Sequence, residues 1–264
     1  MALPAAGELG LYPAPPSVHL RWLSAGSRPA HCRESPVSLA KGYFDVGLFT
    51  NQYEAQQRFW SEQVGLPFDH TLKLGGGVRQ HRYQAGDAVL KLNDARDPLP
   101  AAERQPIAAL LVALAGLRAP RELQDPDGNA ITLVPAGHEG INGVAVRLQV
   151  ADVAQSSQFY QQVLACTEVS PGVLRCGKAL LLLEQASARC APDTAPLAAK
   201  GLRYLTLQVF DCDAAYASAL AAGAEGAKAP INMGSTARIA FIRDPDGIWI
   251  ELSERASVTG KAIG

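Results

Sequence analysis

The chain lacks a dominant charge. Its 24 Lys and Arg nearly cancel 25 Asp and Glu, leaving −1 over 264 residues. No local basic cluster breaks the balance, so the electrostatic footprint of a nucleic-acid binder or of an anionic-membrane binder is missing. Long apolar runs are missing too: none approaches the roughly 18 residues of a membrane helix. Cysteine is sparse. Cys32, Cys166, Cys176, Cys190 and Cys212 are odd in number and never spaced Cys-x-x-Cys. That excludes a disulfide framework or a zinc knuckle and points to free thiols in a reducing, cytoplasmic setting. The basic start and apolar stretch of a secretory signal are absent from the N-terminus. Residues 1–41 are rich in Pro, Ala, Ser and Gly without a sustained period, which predicts a poorly ordered leader.

What is present is a repeat. Asp125-Pro126-Asp127-Gly128 and Asp244-Pro245-Asp246-Gly247 are the same turn written twice, each running into an apolar segment. Asp caps the turn, Pro presets φ at its second position, and Gly takes the positive φ at its exit. A second register supports the repeat. Val144–Leu148 aligns with Phe44–Leu48, and Phe159-Tyr160 with Phe59-Trp60. The hydrophobic spacing predicts strand, helix and three strands over 43–93 and again over 143–184. A third copy starts at Leu202, with a strand over 204–210, an Ala-rich helix over 213–222, and strands near 236–242 and 248–253. Residues 99–135 form a reduced copy with little room for a helix. Gly75-Gly76-Gly77 reads as a turn, since no helix follows to make it a phosphate loop.

Tandem βαβββ units closed by Asp-Pro-Asp-Gly-x-x-Ile-Glu-Leu resemble the vicinal oxygen chelate superfamily: glyoxalase I, bleomycin- and fosfomycin-resistance proteins and extradiol dioxygenases. The resemblance covers roughly residues 42–255. It implies an α+β fold in which units pair into two cup-shaped half-barrels. Taken in chain order, the first cup would span 42–137 with a reduced second unit, and the second would span 138–255, followed by a tail over 256–264.

The family usually holds a divalent ion through His, Gln or Glu on the first and last strands of each unit. In the second cup those positions would carry Ala145, Tyr204, Leu182 or Glu184, and Glu251. In the first they would carry Asp45, Lys91, Thr132 and a residue near Ala109. Lys91 would repel a cation, and none of the histidines falls at a ligand position. The expectation is therefore a site with no metal cofactor. If an ion is bound at all, it would be a divalent one near Glu251.

Strand alternation predicts the site itself. The polar sets Arg147 and Gln149, Tyr204 and Gln208, and Trp249 and Glu251 oppose apolar sets that suit a helix-covered face. These six would line one cup, with Glu184 at its rim. Glu251 or Tyr204 would move a proton, giving a metal-independent lyase or isomerase. In a structural alternative, Glu251 pairs with Arg147. His81, sharing a strand face with Arg79 and Tyr83, is the best-placed histidine for acid–base or binding work. Two other functions stay open: a metal-dependent dioxygenase or glyoxalase-like lyase using His70 or His81 with Glu251, and a resistance protein that sequesters a drug unchanged. The expected partner is a small molecule, with no nucleic acid or membrane, for a monomer or homodimer.

Overall fold

The computed structural model describes residues 37–102, 104–187 and 191–264. Most of the expected leader lies outside these residues. Its last stretch is tied down rather than loose: Leu39 bridges Val209, and Lys41 reaches Asp45 at 2.6 Å.

Four units follow one another. The first is β1 (Asp45–Thr50), α1 (Tyr53–Arg58), β2 (Phe68–Gly75), β3 (Val78–Ala85) and β4 (Ala88–Ala95). The reduced second unit is β5 (Ile107–Leu114), β6 (Arg121–Gln124) and β7 (Ala130–Pro135). The third is β8 (Val144–Val150), α2 (Val153–Leu164), β9 (Thr167–Ser170), β10 (Val173–Cys176) and β11 (Ala179–Gln185). The fourth is β12 (Gly201–Gln208), α3 (Cys212–Ala221), β13 (Glu225–Met233), β14 (Ala237–Arg243) and β15 (Trp249–Arg255). A short α4 (Ala256–Thr259) opens the expected tail. The helices begin where local chemistry puts them: Asp152 caps Gln155 N–H of α2, and Asp211 caps Ala214 N–H of α3. α1 continues into a π-helical turn, Phe59–Val64, that ends at the left-handed Gly65.

The units do not pair in chain order. β1 runs antiparallel to β12, so units one and four share an eight-stranded sheet, β13-β14-β15-β12-β1-β4-β3-β2. β5 runs antiparallel to β8, so units two and three share a seven-stranded sheet, β6-β7-β5-β8-β11-β10-β9. This corrects the expected cups at 42–137 and 138–255. A repeat counts units, but the first strands of all four units alternate alike and do not name their neighbours. A steric match does. Gly47 of β1 faces Tyr204 of β12, whose ring lies where a Cβ on residue 47 would stand, 1.9 Å away.

Consecutive units instead meet through the repeated turns. Asp125 Oδ1 accepts the N–H of Asp127 and Asn129, and Asp244 Oδ1 accepts those of Asp246 and Ile248. The outer oxygens of each turn are held by the preceding unit's helix. Gln56 donates to Asp125 and Asp127, while Tyr160 donates to Asp244 at 2.8 Å and Ser156 to Asp246. Val46 and Leu48 of β1 and Val146 and Leu148 of β8 lie in one apolar core with Trp60 and Tyr160, so the helix-facing sides of both sheets are buried together.

Burial pushes the Asp244 carboxyl up to about 7, against the hydrogen bonds that favour its ionised form. The unfolded carboxyl titrates near 4. The folded state therefore binds this proton more tightly, and the Asp244 contribution to stability is fully present below about pH 4 and lost as pH rises through about 7. We expect unfolding measured between pH 4 and 7 to show a fall of roughly 2–4 kcal/mol from this group. Asp244→Asn, a permanently neutral isostere, should flatten that segment of the profile. An unchanged profile in the variant would remove Asp244 as its source.

Candidate functional site

The eight-stranded sheet curls around a cavity of about 620 Å³, within the range of small-molecule sites. Its wall is apolar, with Phe49, Leu72, Leu74, Ile231, Ile239 and Phe241. Its polar floor is set by strand phase. On β1, β4, β12 and β15 one set of side chains enters the core, and the opposite set (Asp45, Lys91, Asn93, Tyr204, Thr206, Glu251) faces the cup.

The centre of the floor is a buried triad. Lys91 Nζ donates to Glu251 Oε2 and to Thr206 Oγ1, each at 2.7 Å, and the Thr206 hydroxyl donates to the same Glu251 oxygen at 2.7 Å. Lys91 is 1% exposed. Burial lowers its pKa, while Glu251 and then Asp45 oppose the shift. An ammonium carries three N–H groups, so one remains beyond these two bonds. The second carboxylate oxygen of Glu251 is likewise outside the triad.

Beside the triad lies Tyr204. Its hydroxyl accepts from Asn93 Nδ2 at 3.1 Å and from Gln80 Nε2 at 3.3 Å. Both amides act as donors there, because their oxygens are otherwise engaged: Asn93 Oδ1 accepts from Gln80, and Gln80 Oε1 accepts from Arg82. The Tyr204 proton is thus left to point elsewhere. Burial, and next the Glu251 charge, raise the phenol well above its ordinary value. It is a neutral donor at physiological pH and not a base.

Of the residues expected to form one site, Tyr204 and Glu251 share this cup. Gln208 lies deeper on the same face and donates to Asp45 at 3.3 Å. Trp249 stands behind the wall, edge-on to Phe241 and under the Arg243 guanidinium at 4.2 Å. Arg147, Gln149 and Glu184 belong to the other sheet, since their strands follow unit three into its pairing with unit two. Arg147 pairs there with Glu184 at 2.8 Å, so the expected alternative of an Arg147–Glu251 pair is replaced by Lys91–Glu251. Asp45 turns to Lys41 rather than to Lys91. His81 faces the helix side: its ring stacks on Tyr53 at 4.0 Å and its Nδ1 meets Thr71 at 2.8 Å. His70 sits beside Asp69 at the exposed start of β2. The ligand set of His70 or His81 with Glu251 is therefore not assembled.

Sequence reasoning treated Lys91 as an obstacle to a cation or a partner for Asp45, set Thr206 on the cup-facing side without giving it a role, and gave no role to Asn93, Gln80, Arg82 or Arg255. Thr206 was legible from its phase between Tyr204 and Gln208. Lys91 in Ala-Val-Leu-Lys-Leu-Asn was legible as a charge in an otherwise apolar strand. Their convergence needed the pairing of units one and four.

With that pairing known, the family's ion would fall among β1, β4, β12 and β15. Those strands supply Asp45, Lys91, Tyr204 with Thr206, and Glu251. A cationic ammonium already bonded to the Glu251 carboxylate opposes a divalent ion there, and Asp45 is engaged by Lys41 and by Val89 N–H. These residues do not fit the metal. No group of three or more His, Cys, Asp or Glu side chains among the described residues could hold one.

Fold and cavity together define a two-sheet α+β protein with a cup-shaped hollow between its first and last units. Residues 140–252 match the family model of the Glyoxalase/Bleomycin resistance protein/Dioxygenase superfamily. That stretch, units three and four, carries the superfamily's sequence pattern, and the described residues share the fold of glyoxalase I. Glyoxalase I from Zea mays superposes with a TM-score of 0.64 at 14% identity, over 80% of this chain and 92% of the enzyme. A mutant of the same maize enzyme gives 0.65 at 13% identity, over 86% and 96%. A Bacillus subtilis protein whose dioxygenase assignment is provisional gives 0.61 at 10% identity, over 84% and 86%. At these identities the likeness is one of fold. No curated protein matches the chain. Among the described residues, no helix is long and apolar enough to cross a membrane.

Proposed function

We propose that the chain binds a small organic molecule in the cup between units one and four, and that Lys91 takes the place that a metal ion occupies in relatives. The observation that carries this is the Lys91 ammonium, buried on the cavity floor and 2.7 Å from both Glu251 and Thr206. An ammonium and a phenol O–H aimed at one bound oxygen stabilise negative charge as it develops there. A carboxylate oxygen beside them can take a proton from the neighbouring carbon. The reaction this supports is proton transfer next to a carbonyl, in a metal-independent lyase or isomerase. Lys91 and Tyr204 would hold the oxygen, and Glu251 would carry the proton.

The apolar wall supports a second reading, a protein that sequesters a drug of similar shape and releases it unchanged. Turnover of the bound compound separates the two.

The test joins elemental analysis with a binding screen. Protein purified without chelator should hold less than about a tenth of an equivalent of any transition metal, and saturable ligand binding should be indifferent to EDTA. Stoichiometric metal, or binding abolished by EDTA, would sink the reading.

A further inference from the structure

The charges around the cup do not balance. Lys91 and Arg255 line it, and Arg82 of β3 lies directly opposite Lys91 of β4, just outside the lining. Lys41 closes on the same group through Asp45. Lys73 and Lys228 also line the cup but are exposed; against the four cations that are not stand two carboxylates, Asp45 and Glu251, and both are already engaged, by Lys41 and by Lys91. Among the described residues, neither Arg82 nor Arg255 makes an ion pair, and the Nε atoms of both are buried without a hydrogen-bond partner. Arg82 is only 6% exposed, and its one polar contact is Gln80 Oε1 at 3.0 Å. The two guanidiniums feel each other's charge, and Arg255 has its pKa lowered by burial and next by Arg82.

Leaving the buried Arg82 guanidinium unpaired is costly, and the half-buried Arg255 adds a second like charge to it. Such an arrangement persists where something else completes it. The missing partner must be anionic, rich in acceptors and small enough to enter from the cavity. A planar carboxylate meets a guanidinium through two parallel hydrogen bonds. The rest of the ligand must suit the apolar wall of Phe49, Leu72, Ile239 and Phe241.

We infer that the natural ligand is an organic carboxylate with an apolar body, its carboxylate held by Arg255 with Arg82 and its body against the aromatic and aliphatic wall. This rests on the cup being the ligand site. It adds that the ligand is an anion and names the side chains that select it. In a proton-transfer reaction the Lys91–Tyr204 pair would then hold a second oxygen of the same molecule, apart from the carboxylate.

The test uses the full chain and three acids, 4-phenylbutyrate, 2-naphthylacetate and octanoate, each beside its primary amide. Affinity is read by calorimetry and by thermal shift at constant ionic strength. The acids should bind at least tenfold more tightly than their amides. R255Q should weaken the acids by tenfold or more and leave the amides unchanged, while R255K recovers part of the loss. Without ligand, R255Q should melt no lower than the parent, because it removes a half-buried cation that has no ion-pair partner among the described residues. Equal affinity for acid and amide, or acid binding untouched in R255Q, overturns the charge assignment and leaves the cup as a site for neutral molecules. Failure of acids and amides alike overturns the assignment of this cup as well.

Discussion

Lys91→Met should lower stability by about 3–5 kcal/mol, because it strands the Glu251 carboxylate in a floor where its ammonium partner is buried. In a chain of this size that is a fall in melting temperature on the order of ten degrees. Thr206 stays hydrogen-bonded to Glu251, but a hydroxyl cannot replace a full charge. Glu251→Gln should cost less than Lys91→Met. Gln keeps an acceptor for Lys91, and Asp45 remains near enough to favour the ammonium. The pair replaced together, Lys91→Met with Glu251→Leu, should recover most of the stability, since matched apolar side chains often substitute for a buried ion pair at little net cost. Ligand binding should not recover. A urea-unfolding cycle over the single and double variants measures the coupling. A double variant as unstable as the sum of the singles would show that the triad is not a closed unit. A double variant that binds normally would remove Lys91 and Glu251 from the site.

The second large effect concerns a residue without a side chain. Gly47→Ala places a Cβ 1.9–2.4 Å from three atoms of the Tyr204 ring, far inside contact distance. The ring is flanked by Phe49 and Phe241 and its hydroxyl is held by Asn93 and Gln80, so it cannot step aside without losing those contacts. Overpacking of this kind costs roughly 1–3 kcal/mol and more where the backbone must move. Two displaced hydrogen bonds add about 1 kcal/mol each. We expect a loss near 3 kcal/mol or above, with ligand binding abolished because the Tyr204 donor is expelled from its place. In a Tyr204→Ala background, the same Gly47→Ala change should cost less than about 1 kcal/mol, since the ring it collides with is gone. Unfolding of the four proteins decides it: equal costs in both backgrounds would mean that residue 47 is sensitive for a reason other than the ring.

Much of the fold was legible because it rests on local rules. The two Asp-Pro-Asp-Gly turns form as their residue types require, with Gly128 and Gly247 at φ 86° and a hydrogen bond from each Gly N–H to the first Asp carbonyl. The helix sites followed from spacing, and the absence of a helix from the reduced unit followed from its length. β13 escaped notice. It is a sheet-edge strand carrying Pro230 and buries little, so it shows no clean alternation. Strand phase was also read correctly for Tyr204 and Glu251, because the side-chain period of two holds whatever the neighbouring strand is.

What the chain determined by itself was the unit: its count, its turns, and which side chains leave the core. Tertiary structure alone decided which units share a hollow. Alternating strands are nearly interchangeable as partners until shape separates them, and here the bare Cα of Gly47 under the Tyr204 ring marks unit one as the partner of unit four. That pairing leaves Arg147, Gln149 and Glu184 on the other sheet and puts Lys91 and Arg255 in the cup, with Arg82 opposite Lys91. Charges distant in sequence acquire a common purpose only where burial in one low-dielectric floor makes each depend on the others.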